Sequence, residues 1–359
     1  MTGTVGHEGS RLDVQVIIGV DTHQDQHVAV AIDRQGIRLG ERYLPATTDG
    51  YAELEWWARS LGQIRAFGIE GTGSYGAGVA RFLTSRNYTV IEVNRPDRSV
   101  RYRKGKSDPT DAEMAARSVL AGVADATPKS GEGEVEMIRM LKSTKDSAVK
   151  ARTQAVNQIK ALVVTAPSEL RETLDGLTTA ALITRCKSLR PGHLDDPRAA
   201  AKYALRSLAC RYRQLSKEIQ DLREELGRLI RTAAPALVSA FGVGPDSAAA
   251  LLVAAGSNAD RLRSEASFAS LCGVNPIPAS SGKTNRHRLN RGGDRQANAA
   301  LYRIVVVRLR YEQRTQAYMQ RRTAEGMTKT EVIRCLKRYV AREVYSVIQR
   351  PNQILEKAA

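Results

Sequence analysis

The chain has 359 residues, of which 42% are hydrophobic and 5% aromatic. It is long enough for two or three domains, and the apolar share supports a core built mainly from Ala, Val, Leu and Ile, which excludes wholesale disorder. A net charge of +17 and a pI near 9.9 point to a polyanionic partner, nucleic acid before acidic membrane.

No apolar run approaches the ~20 residues that span a bilayer. The start, MTGTVGHEGSRLD, does not read as a signal peptide, so a cytoplasmic protein is expected. Cys186, Cys210, Cys272 and Cys335 lie far apart without a CxxC pair, and the five histidines are scattered. These spacings make no zinc site, and all nine side chains read as packing or surface residues with reduced thiols.

Residues 1–13 read as a flexible N-terminus. Residues 14–20 form an apolar β-rich run that ends in Asp21, residues 27–32 alternate, and Asp33-Arg34-Gln35-Gly36 is a turn signal before a third strand over 37–44. A helix is predicted over 48–61, a short buried strand over 66–69, a helix over 75–85 and a strand over 88–93. A further helix covers 108–121, with Ser107 as its cap. Three strands, helix, strand, helix, strand, helix is the ribonuclease-H-like order of a mixed α/β sheet, here over 14–128.

From 129 to 234 the period changes. Leu205, Leu208, Tyr212, Leu215, Ile219, Leu222, Leu226 and Leu229 are spaced 3-4-3-4-3-4-3, an uninterrupted heptad seam. Residues 135–164 are also helical in pattern. The two stretches make either an antiparallel pair within the chain or a coiled coil between chains. The last region, 235–359, opens with Gly242-Val243-Gly244 before a helix over 246–255. That resembles a helix-hairpin-helix, whose glycines let backbone N–H groups approach phosphates, although Gly-rich helix turns also occur without ligands. Residues 272–293 read as a loop, and the chain from 294 onward as basic helix.

Four acids stand apart. Asp21 ends the first strand, Glu70 ends the fourth in FGIEGTGSYG, and Asp108 and Asp111 share one face of a helix start in KSDPTDAEMAA. The pair alone is a weak signal, better explained by the preference of acids for a helix N-terminus. With Asp21 and Glu70 in this element order, the four are candidate ligands of Mg²⁺ or Mn²⁺, because clustered hard oxygens select such ions. Two ions about 4 Å apart clamp the attacking and leaving oxygens of a phosphodiester. Lys104 and Lys106, just before the pair, read as a phosphate guide or as a solvated basic loop.

Ser280-Ser281-Gly282-Lys283 lies in the loop beside Arg286, Arg288, Arg291 and Arg295. A serine attacking phosphorus gains from cations that stabilise a pentavalent transition state. Residues 281–350 carry 17 Lys or Arg against five Asp or Glu, an imbalance that fits a nucleic-acid surface. No Ser-His-Asp set is evident.

IIGVDTHQDQHVAVAID, FGIEGTGSYG, KSDPTDAEMAA and GVNPIPASSGKTNRHRLNRGGDRQANAALYR, in this order, resemble the insertion-sequence transposases with a RuvC-like DEDD domain, the bridge-RNA-guided recombinases of the one-ten insertion-sequence family. The resemblance runs from about residue 14 to about residue 345. It implies metal binding by Asp21, Glu70, Asp108 and Asp111, and a nucleophilic serine before glycine, Ser281, with Ser280 its neighbour. It also implies a covalent phosphoserine bond to DNA, a structured non-coding RNA that pairs with donor and target DNA, and a homodimer that assembles to a tetramer on the bacterial nucleoid. Three other readings use the same residues differently: a junction nuclease with metal-activated water, a non-catalytic nucleic-acid-binding dimer, and a sugar-kinase-like ATPase with Gly71-Thr72-Gly73 as its turn.

Overall fold

The computed structural model describes residues 14–93, 107–280 and 287–349, so the stretch expected to be flexible, 1–13, lies outside the described residues. The chain divides into two compact units, Met1–Gly131 with Gly256–Arg263, and Glu132–Ala255 with Ser264–Ala359.

The first unit contains β1 (Gln15–Thr22), β2 (Gln26–Ile32), β3 (Arg38–Pro45), α1 (Thr48–Leu61), β4 (Gln63–Glu70), α2 (Ala77–Ser85), β5 (Val90–Val93) and α3 (Asp108–Leu120). The spatial order is β3-β2-β1-β4-β5. β2 is antiparallel to β1 and β3, whereas β4 is parallel to β1 and β5. This mixed sheet agrees with the ribonuclease-H-like expectation. The central strands are buried along nearly their whole length and are therefore continuously apolar. β3 is an edge strand, and its charged, exposed Arg38, Glu41 and Arg42 discourage pairing with another chain.

Successive strand residues point to opposite faces, and this alternation sorts the core into two layers. Val16, Ile18 and Val20 of β1 pack with Leu54, Trp57, Val79 and Leu83 of α1 and α2. Ile17 of β1 and Ala66 of β4 pack with Ala112, Ala115 and Ala116 of α3 on the other face. Gly19 and Gly68 share that second face. A Cβ on Gly19 would fall on the carbonyl oxygen of Ala112 and 2.5 Å from the amide nitrogen of Ala116. One on Gly68 would stand 2.7 Å from Val119 Cγ2. The backbone of α3 therefore lies directly on the sheet.

Ser107 occupies the cap position of α3, but its hydroxyl contacts Thr110 Oγ1 at 2.7 Å instead of a backbone N–H. Pro109 in the first turn pre-sets the helical φ. The segment 256–263 is fastened to this unit by side chains. Asn258 Nδ2 donates to Pro128 O at 2.9 Å, its Oδ1 accepts from Ser130 N at 3.1 Å, and Arg263 Nη1 reaches Asp125 Oδ2 at 2.6 Å.

The second unit is mostly helical: α4 (Gly133–Thr165), α5 (Ser168–Glu172), α6 (Thr179–Ser188), α7 (Pro197–Ala233), α8 (Pro235–Ser239), α9 (Pro245–Ala255), α10 (Glu265–Leu271), α11 (Arg295–Tyr311), α12 (Gln313–Ala324) and α13 (Lys329–Ile348). Among the described residues, no helix is long and apolar enough to cross a membrane. The heptad seam lies on α7. Its Leu205, with Ala209, packs on Ile159 and Val163 near the end of α4, while Arg152 lies over the Tyr212 ring at 5.8 Å. Rising numbers on one helix meet falling numbers on the other, so the two run antiparallel.

The stretch 272–293, read from sequence as loop, contains a two-stranded antiparallel hairpin of β6 (Pro276–Pro278) and β7 (His287–Leu289). Two buried lysines on α4, Lys142 and Lys145, meet Asp146 and Asp246, and Arg303 Nη2 of α11 approaches Asp246 Oδ2 at 3.3 Å. Burial pushes the Asp246 carboxyl up, but Lys145, Lys142 and Arg303 more than reverse this and hold it below the ordinary range. The network fixes the start of α9, just after the Gly242–Gly244 turn.

Gly19→Ala is expected to destabilise the first unit by about 3 kcal/mol, because backbone atoms cannot make room for the methyl. Gly73→Ala, where an added Cβ meets nothing within 4 Å, should stay within about 1 kcal/mol of the parent. The chain's two tryptophans, Trp56 and Trp57, are both in this unit, so urea unfolding followed by tryptophan fluorescence measures the difference.

Candidate active site

The alternation that sends Ile17 and Gly19 toward α3 sends Asp21 there too, at the carboxyl end of β1. Asp108 and Asp111 occupy the first turn of α3, where the positive end of the helix dipole favours acids. Direct seating of α3 on Gly19 thus brings these carboxylates to Asp21. Asp21 is 8% exposed and Asp111 3% exposed, while Asp108 is half-buried.

Glu70 ends the neighbouring parallel strand on the same face as Ala66 and Gly68 and is half-buried. Thr22 Oγ1 donates to the Glu70 carbonyl at 2.8 Å and ties the two strand ends together. In the next turn, Ser74 N and Gly76 N both donate to Gly71 O, and the chain leaves the sheet.

Sequence reasoning passed over one member of the site. His23 Nε2 lies 3.3 Å from Asp21 Oδ2 and 3.5 Å from Asp108 Oδ1. Asp21, His23 and Asp108 each offer a ligand atom within 4.8 Å of the other two, which makes them the one such group among the described residues. The signal was local: Asp-x-His at a strand end keeps both side chains on one side of the sheet. Glu70 and Asp111 stand outside this trio, although Asp111 acts electrostatically on Asp21.

Burial pushes the Asp21 carboxyl above its ordinary value. His23 opposes the shift by charge and hydrogen bond, and Asp111 and Asp108 add to it. A buried carboxylate beside two others is an unfavourable concentration of negative charge. The hard carboxylate oxygens suit a divalent cation of the Mg²⁺ or Mn²⁺ type, and the borderline imidazole donor favours Mn²⁺ of the two, so the residues present fit such an ion.

The remaining sequence candidates divide by unit. Lys104 and Lys106 lie outside the described residues, as do Ser281, Lys283 and Arg286. Arg288 on β7, Arg291 after it and Arg295 at the start of α11 are exposed residues of the second unit. Ser280 is described and exposed.

Two family models match the chain in order. Residues 18–166 match the DEDD-type IS110 model described as "Transposase", and residues 234–320 match "Transposase IS116/IS110/IS902 family". No curated protein matches it.

A raised carboxylate pKa means that the folded state prefers the neutral acid, so the stability Asp21 contributes at low pH is lost as pH rises through its folded value. Asp21→Asn is therefore expected to raise the thermal midpoint of the first unit at neutral pH in chelator. Mg²⁺ or Mn²⁺ should stabilise the parent by about 2.7 kcal/mol at a hundredfold excess over its Kd, and the variant by much less. Thermal melts with and without the ion, followed by tryptophan fluorescence, decide both points.

Proposed function

This chain belongs to the IS110 family of insertion-sequence transposases, and from that premise we propose an RNA-guided recombinase that cuts and joins DNA with a nucleophilic serine and a metal-binding carboxylate site. A transposase acts on DNA, and the charge of +17 suits that substrate. The observation that supports the proposed site is the cluster of Asp21, His23 and Asp108 at the end of β1, with Asp111 acting electrostatically on Asp21.

Asp21, Glu70, Asp108 and Asp111 would hold the divalent cation, with His23 as a further donor. When bound, the ion supplies positive charge to the phosphodiester oxygens and lowers the barrier to displacement at phosphorus. Ser281 is the nucleophile. Its Oγ forms a bond to phosphorus while the ester bond to one sugar oxygen breaks, and that oxygen leaves as a hydroxyl. A sugar hydroxyl of the other DNA end then displaces the serine. One phosphoester replaces another at each step, so no hydrolysis intervenes and no external energy source is required.

Arg286, Arg288, Arg291 and Arg295, with Lys283, neutralise the charge that builds up on the phosphate. Lys104 and Lys106 guide the strand toward the carboxylates. Sequence choice belongs to a structured RNA that pairs with donor and target DNA, a division of labour supported by the family resemblance. The same resemblance supports two protomers per active centre, in a dimer that assembles to a tetramer.

The test is a covalent one. Incubation with DNA carrying the element's ends, then denaturing electrophoresis, should reveal a protein–DNA adduct with the parent chain and with Ser280→Ala but none with Ser281→Ala. Asp21→Ala should abolish strand joining while leaving DNA binding within a few-fold of the parent. An adduct that persists when both serines are replaced rejects the serine mechanism. Metal-dependent cleavage with no adduct from the parent favours activated water instead.

A further inference from the structure

The second unit is rich in cations, and several of them, buried and exposed, have a carboxylate partner. Arg308 Nη1 meets Glu343 Oε2 at 2.6 Å, Arg342 Nε meets Glu265 Oε2 at 3.0 Å, and Arg338 joins the same glutamate. Lys145 and Lys142 share Asp246. Lys337 differs. It is half-buried on α13, and among the described residues its hydrogen-bond partner is a neutral amide, Asn298 Oδ1, at 2.9 Å.

That amide is locked in place. Asn298 Nδ2 donates to Cys272 O at 2.9 Å and to Gly273 O at 3.1 Å, which leaves its oxygen aimed at Lys337. The acid next to this spot in sequence is already used: Asp294 Oδ1 accepts from Gln296 N at 2.8 Å and Ala297 N at 2.9 Å as the cap of α11. Burial, helped by Arg334, depresses the Lys337 ammonium below the ordinary lysine value. A partly desolvated cation that faces only an amide costs stability, and such lysines are rare without an anion to meet.

The surroundings show where that anion would sit. Lys337 lines a cavity of about 470 Å³ together with Arg291, Arg295, Asn298 and Tyr302. Both arginines are exposed side chains at its edge, and neither has an ion-pair partner among the described residues. An ammonium has three N–H donors, of which Asn298 takes one. Three cations, a phenol and free N–H donors around one hollow suit a tetrahedral oxyanion. Gly273 and Asn290, also on the wall, bracket the β6–β7 hairpin, whose connecting segment carries Ser280 and Ser281.

We propose that Lys337, held by Asn298 and flanked by Arg291 and Arg295, binds one backbone phosphate of DNA at the base of the hairpin that carries the serine. The proposal rests on the transposase reading and makes Lys337 a positioning residue: it grips the strand, and the serine acts on it.

Each duplex phosphate contact contributes about 0.9 to the slope of log K against log salt. Binding of a random-sequence DNA duplex, measured between low and moderate salt, should therefore lose about 0.9 from that slope with Lys337→Gln, while Lys337→Arg retains it. Lys337→Met keeps the bulk and removes the unpaired charge. Its thermal midpoint should equal or exceed that of the parent, with the same loss of slope, a combination that a packing lysine does not give.

A parent-like slope for both Lys337→Gln and Lys337→Met overturns the assignment. So does a loss of slope confined to a structured RNA hairpin used in place of the duplex, since the phosphate would then belong to RNA. These are equilibrium binding measurements, so they stand apart from the covalent adduct. An absent adduct with an altered slope rejects the serine mechanism alone, and a normal adduct with an unaltered slope rejects the phosphate site alone.

Discussion

The structure depends most on one close approach, the backbone of α3 against β1 and β4. An α-helix covered with ordinary side chains packs about 10 Å above a sheet. Here Gly19 and Gly68 remove the side chains between them, and Ala112, Ala115 and Ala116 keep the helix face small. The gain is positional. A helix seated this deep brings its first turn to the level of the strand end, so Asp108 and Asp111 reach Asp21. Period-two alternation then decides which strand residues can join them: Asp21 and Glu70 share the parity of Ile17 and Ala66. The catalytic reading is a consequence of packing geometry before it is a matter of electrostatics.

Both ends of the proposed chemistry carry charge that the fold itself leaves poorly balanced. In the first unit, Asp108 and Asp111 crowd Asp21, and the His23 imidazole lies between Asp21 and Asp108. In the second, Lys337, Arg291 and Arg295 gather around a hollow while the acid beside them caps a helix. Other buried charges are paired, as in the Lys142–Lys145–Asp246 network. Charge left poorly balanced in a partly buried place marks a site built for a ligand of opposite sign, and stability is commonly sacrificed there.

Much of this was legible in the residues. The strand and helix order of the first unit follows from apolar runs and turn signals strong enough to survive in isolation, and Asp21, Glu70 and the Asp108/Asp111 pair were visible because each stands where an element begins or ends. His23 was passed over, since Asp-x-His at a strand end is a weak signal until the fold puts Asp108 opposite it. The β6–β7 hairpin escaped because three-residue strands, one of them Pro-Ile-Pro, show neither alternation nor β-propensity. The heptad seam of α7 was plain, but its partner was not: the same leucines suit a second chain or a neighbouring helix, and Ile159 and Val163 of α4 occupy part of that face. Lys337 looked like one basic residue among many. Only the fates of Asn298 and Asp294 set it apart.

The return of residues 256–263 to the first unit has a consequence for modularity. The polypeptide crosses between units three times, at 131/132, 255/256 and 263/264, so neither unit is one uninterrupted stretch of chain. A single proteolytic nick cannot release either unit whole. Exchange of halves between related genes at one breakpoint would strand Asn258 and Arg263 away from the Pro128 carbonyl and Asp125 they were shaped to meet. The first unit is thus completed only by a segment that the chain supplies after most of the second has been made.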